Sequence, residues 1–128
     1  MKKIQPNSFE AVALFVMYIC NQDGQISNAE IKEFQDDFPY LKRLYFDVFG
    51  EFIYEDFLDD LDAIINEVKA HNFNDAKESK HEHKFISKLI TDPKLCDICL
   101  LEAKHAAAAD MLHHKERNKL SYWDKAWA

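Results

Sequence analysis

The sequence predicts an all-α fold, a single domain at residues 1–128 of about seven helices. Three observations lead there. Apolar residues make up 48% of the 128 positions, enough to build a core in one domain without metal or disulfide staples. Only two glycines and three prolines are present, which leaves little material for the tight turns of an antiparallel sheet. Apolar positions recur at helical spacing along most of the chain, and no segment alternates in the manner of a strand.

Residues Ser8 to Cys20 form the first predicted helix, apolar on nearly every side from Ala11 onward, and so expected at the centre of a bundle. The stretch "NQDGQ" ends it. A second helix is expected from Asn28 to Asp37, with Pro39 breaking it. Leu44, Tyr45, Val48, Phe49 and Phe52 define a short third helix between Leu41 and Phe52. Phe57, Leu58, Leu61, Ile64, Ile65 and Val68 give the cleanest apolar stripe and the fourth helix. The polar segment "HNFNDAKESKHEHK" holds a connection. A fifth helix resumes by about Ser79 and carries Phe85, Ile86, Leu89 and Ile90. Asp92 is a natural N-cap and Pro93 a natural first residue for the sixth, which runs to about Ala109. Leu120, Trp123 and Trp127 supply the apolar face of the seventh.

A net charge of −7 excludes nucleic acid and anionic membrane as general partners, because phosphate binding needs an excess of Lys and Arg. It favours cations or basic protein surfaces. Cys20, Cys96 and Cys99 are too few and too odd in number for a disulfide framework, which points to a reducing compartment. "MKK" followed by "AVALFVMYIC" imitates a signal peptide, but Pro6 and Glu10 intervene, no small-residue cleavage site follows, and the apolar run is half of a membrane span. A cytoplasmic protein with no direct membrane insertion is expected.

The stretch "CNQDGQISNAEI" carries the functional question. Laid on a calcium-binding EF-hand loop, Asp23 and Gly24 take positions five and six and Glu30 the bidentate position twelve, but the first position falls on Ile19, which has no side-chain oxygen. The EF-hand match fails. As a helix start, Ser27 is an N-cap, Glu30 completes a capping box, and Ile26 and Ile31 stand at the positions of a hydrophobic staple. Glu30 then has a structural role without a ligand, while Asp23 has none. "AAAADMLHHKERNKLSYW" repeats the plan of an apolar or Ala-rich helix, an Asp, a short loop, a Glu and an amphipathic helix. Asp110 and Glu116 correspond there to Asp23 and Glu30.

"NQDGQISNAEIKEF" after a buried apolar helix, with the second Asp-Glu motif near the C-terminus, resembles the TerB-like domain of tellurite-resistance proteins, a module also similar to a domain of some J-domain co-chaperones. The resemblance implies an all-helical, non-catalytic stress-response module. It also implies a divalent-cation site drawing on Asp23, Glu30, Asp110 and Glu116. The sequence departs from the family pattern in the second loop, where Met111 replaces the expected glycine and two histidines follow. Two loops brought together could supply carboxylates that neither supplies alone, which suits Ca²⁺ or Mg²⁺ ahead of Zn²⁺. The other reading of the same residues is helix capping with solvated acids.

Other candidates have structural counterparts. Cys96 and Cys99 have a zinc-like spacing but lack a second pair, and small buried hydrophobes fit them as well. His81, His83, His105, His113 and His114 cluster late in the chain and could draw a transition metal or stay solvated. From Leu44 to Val68 there are eight acidic residues and no Lys or Arg. Asp56, Asp59, Asp60 and Glu67 are either a solvated face or a docking patch for a basic protein partner. Tyr54, Tyr122, Trp123 and Trp127 are the aromatics to which a partner could bind. An adaptor using the acidic face or an aromatic patch, with no metal, is therefore the rival function. No phosphate loop, nucleophile elbow or metalloprotease motif is present, so no enzyme is expected.

Overall fold

The structure, a computed structural model, describes residues 4–22, 24–70 and 76–128, without the side chains of residues 76–80. Asp23 and the first residues of the polar connection after Ala70 lie outside it. Among the described residues there are six α-helices and no strand: α1 (Phe9–Cys20), α2 (Asn28–Phe49), α3 (Leu61–Ala70), α4 (Ala76–Leu89), α5 (Pro93–Ala108) and α6 (His114–Ala126). A 3-10 turn, Phe57–Asp60, leads into α3.

The count falls to six because α2 runs straight through Pro39, joining what the sequence divides into second and third helices. A proline inside a helix removes one hydrogen bond to the carbonyl four residues back. Here that carbonyl belongs to Gln35, and both Gln35 and Pro39 are exposed, so water can solvate the released oxygen. Phe34, Phe38, Leu41 and Tyr45 keep one buried stripe on either side of the proline, and that packing outweighs the local penalty. Gly50 then ends α2 in the left-handed conformation (φ +70°).

Every residue of α1 except Glu10 is buried, and α2, α3, α5 and α6 all pack around it. An all-round apolar helix has this one place in a small bundle. Phe9 anchors one end against Phe34, Phe38, Tyr45 and Phe57. Phe15 meets Trp123 and Trp127 on α6 further along.

The two central helices, α1 and α5, run in the same direction. Asn7, just before α1, accepts the backbone N–H groups of Thr91 and Asp92, just before α5, at 2.9 and 3.1 Å. Its own amide donates to Thr91 Oγ1 at 2.8 Å. At the far end Cys20, which closes α1, meets Glu116, which follows α5. Loops that are far apart in sequence therefore leave the bundle at one end.

Candidate functional site

Ser27 and Glu30 form the expected capping box. Ser27 Oγ accepts the Glu30 backbone N–H at 3.1 Å, and Glu30 Oε1 accepts the Ser27 N–H at 2.8 Å. Such a box stabilises a helix by about 1–2 kcal/mol. The second motif repeats it with an unusual cap: His113 Nδ1 accepts the Lys115 N–H at 3.2 Å, and Glu116 Oε1 accepts the His113 N–H at 2.9 Å. Gly24 (φ +92°) and Met111 (φ +53°) both hold left-handed backbone in the loops between the paired helices. Met111 occupies a glycine conformation without being glycine.

Because α1 and α5 are parallel, the two boxes face one another. The Glu30 and Glu116 carboxylates and the Cys20 thiol are all buried, and one ligand atom from each lies within 4.8 Å of the others. The positive N-terminal ends of α2 and α6 stabilise carboxylates placed there. Burial pushes the Cys20 thiol well above its ordinary range, and the neighbouring Glu30 and Glu116 push it further. The thiol is therefore protonated beside Glu30.

Glu102 on α5 is the next acidic group. It is 3% exposed, and no hydrogen-bond donor among the described residues reaches its Oε2. Burial, then a proton shared with Asp37, raises it to about 9; Asp37 and Glu33 charges add to the effect. When ionised it also acts on Cys20. On the outer side of Glu102, Glu33 and Asp37 of α2 converge on His105 of α5. His105 Nδ1 lies 2.6 Å from Asp37 Oδ2, and its Nε2 lies 3.1 Å from Glu33 Oε1.

Of the four residues nominated from the motifs, Glu30 and Glu116 are thus brought together. Asp110 is exposed in the turn after α5, and Asp23 lies outside the described residues. Cys20, Glu33, Asp37 and Glu102 were not selected from the sequence. The spacings that mark them are Glu33-x-x-x-Asp37 and Glu102-x-x-His105, each placing two ligands on one helix face. The buried trio offers a thiol and two carboxylates already engaged in capping. That set is poor in oxygen for Ca²⁺ or Mg²⁺ and suits a four-coordinate ion of the Zn²⁺ type better.

The remaining histidines are dispersed. His83 stacks on Tyr122 with ring centres 4.0 Å apart and accepts from Lys119 Nζ at 3.1 Å; burial and that ammonium lower its pKa. His113 is a cap. Cys96 and Cys99 are buried, with burial holding Cys96 at about 11, as small hydrophobes rather than ligands. Asp56, Asp59 and Asp60 are exposed and Glu67 is half-buried. Trp123 is completely buried among Phe15, His83 and Trp127, so it is a core residue and not part of a docking surface. Trp127 is half-buried on the same cluster.

A surface feature lies at the other end of the molecule. A cleft of about 490 Å³ is lined by Tyr45, Phe49, Phe52 and Tyr54 together with Glu10, Glu51 and Asp92. Phe52 is 82% exposed and stacks on Phe46 at 4.3 Å. No helix among the described residues is long and apolar enough to cross a membrane. No protein-family model matches the chain, and no curated protein or solved structure matches it either.

Proposed function

We propose that the chain is a non-catalytic helical module of the TerB-like, tellurite-resistance type. In this reading it serves a stress response by holding a divalent cation where its two helix-loop-helix halves meet. Glu30 and Glu116 are the inner ligands with Cys20, and Asp23 and Asp110 are the acids of the loops leading to them. One observation carries this reading: two capping-box glutamates from opposite ends of the chain share a buried space with a thiol. Capping alone asks nothing of the relative position of the two boxes. A bound cation supplies the charge balance that brings them together.

Binding to the folded state alone raises stability by about 2.7 kcal/mol at a hundredfold excess over Kd. Melting the purified protein with Zn²⁺, Ca²⁺ or Mg²⁺ should therefore raise Tm, with Zn²⁺ most effective. Glu30→Gln and Glu116→Gln should each reduce the rise while retaining the cap, because glutamine also serves at that position. With Co²⁺ as the probe, a thiolate charge-transfer band lost in Cys20→Ala identifies the site. No rise with any of the three cations at millimolar concentration would overturn the reading.

A second reading rests on the aromatic and acidic cleft. An adaptor would receive a basic segment of a protein partner there, with carboxylates neutralising its charge and Phe52 and Tyr54 covering its aliphatic stems. A Lys/Arg-rich peptide should bind in a salt-sensitive way and lose affinity in Phe52→Ser. An acidic peptide of equal length binding as well would dismiss it.

A further inference from the structure

The seam between α2 and α5 holds a second group of metal-ligating side chains, on the partly exposed side of Glu102. Glu33 and Asp37 are one helical turn apart on α2, and Glu102 and His105 three residues apart on α5, so all four project into one interface. A Glu-x-x-His pair on one helix facing carboxylates on another is a ligand arrangement of helical-bundle metal sites. One atom from each of Glu33, Asp37 and His105 lies within 4.8 Å of the others.

An imidazolium bridging two carboxylates would account for His105, Glu33 and Asp37 by themselves. It does not account for Glu102. This carboxyl is buried beside Asp37, and its Oε2 meets no donor. A buried carboxyl oxygen that meets no protein donor is unfavourable unless a proton or a cation offsets it. Without metal the group keeps its own proton toward Asp37; a cation on the side where Asp37 and Glu33 stand would take that proton's place.

We infer that the α2–α5 seam is a binding site for a divalent transition-metal ion of the Zn²⁺, Mn²⁺ or Co²⁺ class, with Glu33, Asp37 and His105 as ligands and Glu102 supporting Asp37 from behind. An imidazole with carboxylates suits these ions, whereas Ca²⁺ takes oxygen alone. The ligands sit on two packed helices rather than on loops, so the site is preformed. His105 is exposed enough to admit an ion without opening the core. The site does not depend on the cation proposed between Glu30 and Glu116.

Metal-stripped full-length protein, titrated with Zn²⁺ in a calorimeter and with Co²⁺ in the visible spectrum, tests this. His105→Gln and Asp37→Asn should each weaken binding at this site about tenfold or more, and Glu102→Gln about 10–100-fold as a supporting residue. His114→Ala, an exposed control, should change nothing. Glu116→Gln should leave this binding event intact, whatever it does to the buried one. Failure of the wild type to bind any of these ions at millimolar concentration would overturn the inference. So would wild-type affinity in a folded His105→Gln protein.

Discussion

Replacing Glu102 by glutamine is expected to stabilise the metal-free protein while weakening its hold on metal. The carboxyl stands at about 9 in the folded chain against an ordinary value of 4.5. Below pH 4.5 both folded and unfolded chains carry the proton, and the site adds no pH dependence. As pH rises from 4.5 toward 9, the unfolded chain releases the proton and the folded chain retains it, so stability falls across that window and levels off above it. At 1.36 kcal/mol per pH unit, the loss accumulated by pH 7 is about 3 kcal/mol. Glutamine behaves as the protonated acid at every pH and avoids this loss. Asp37 and Glu33 of α2 and Cys20 of α1 face position 102 in both proteins. Urea unfolding at pH 5, 7 and 9 measures the difference. The variant should gain little at pH 5, about 3 kcal/mol at pH 7 and more at pH 9, or roughly 10 °C in Tm at neutral pH. Equal stability of the two proteins at pH 7 and 9 would refute the reasoning, since it would mean that Glu102 ionises in the fold without penalty.

Three further outcomes are expected. Met111→Gly should raise stability by about 0.5–1 kcal/mol in thermal unfolding, because the residue is 88% exposed and holds a left-handed backbone that disfavours any side chain. Trp123→Ala should cost about 3–5 kcal/mol through the cavity left among Phe15, His83 and Trp127. A thiol reagent should modify none of Cys20, Cys96 and Cys99 in the native protein on the timescale on which it modifies all three in denaturant, because burial keeps each protonated and out of reach.

Much of the fold is legible in residue periodicity, and the exceptions have physical causes. The stripe from Phe57 to Val68, the Asp92–Pro93 start of α5 and the Ser27–Glu30 box are local patterns, and local patterns survive folding. Pro39 misleads because its penalty is local while the stripe from Phe34 to Tyr45 that overrides it is tertiary. Trp123 is marked by its size as a possible contact residue, but neighbours from α1 and α4 decide that it is core. The two motif glutamates could be chosen from sequence because capping and ligation ask for the same residue at the same place. The α2–α5 group could not be chosen so readily, since 65 or more residues separate its halves and only the parallel setting of α1 and α5 brings their flanks together.

That parallel setting concentrates negative charge. Glu30, Glu116, Glu33 and Asp37, with the protonated Glu102 beside them, form a track from the core to the surface at one end of the bundle. The countercharges described there are one imidazole and the N-terminal ends of two helices. Two kinds of added cation separate coordination from screening. Sodium chloride screens exposed charges over about 8 Å at physiological strength but acts weakly on buried ones. A millimolar divalent transition metal barely alters ionic strength, yet it can enter a preformed site. If the track is a set of ligands, millimolar Zn²⁺ should raise Tm well beyond sodium chloride at 0.15 M, and Glu116→Gln combined with His105→Gln should erase the difference. If sodium chloride matches the metal, the acids are only a repelling surface and both cation sites fall together.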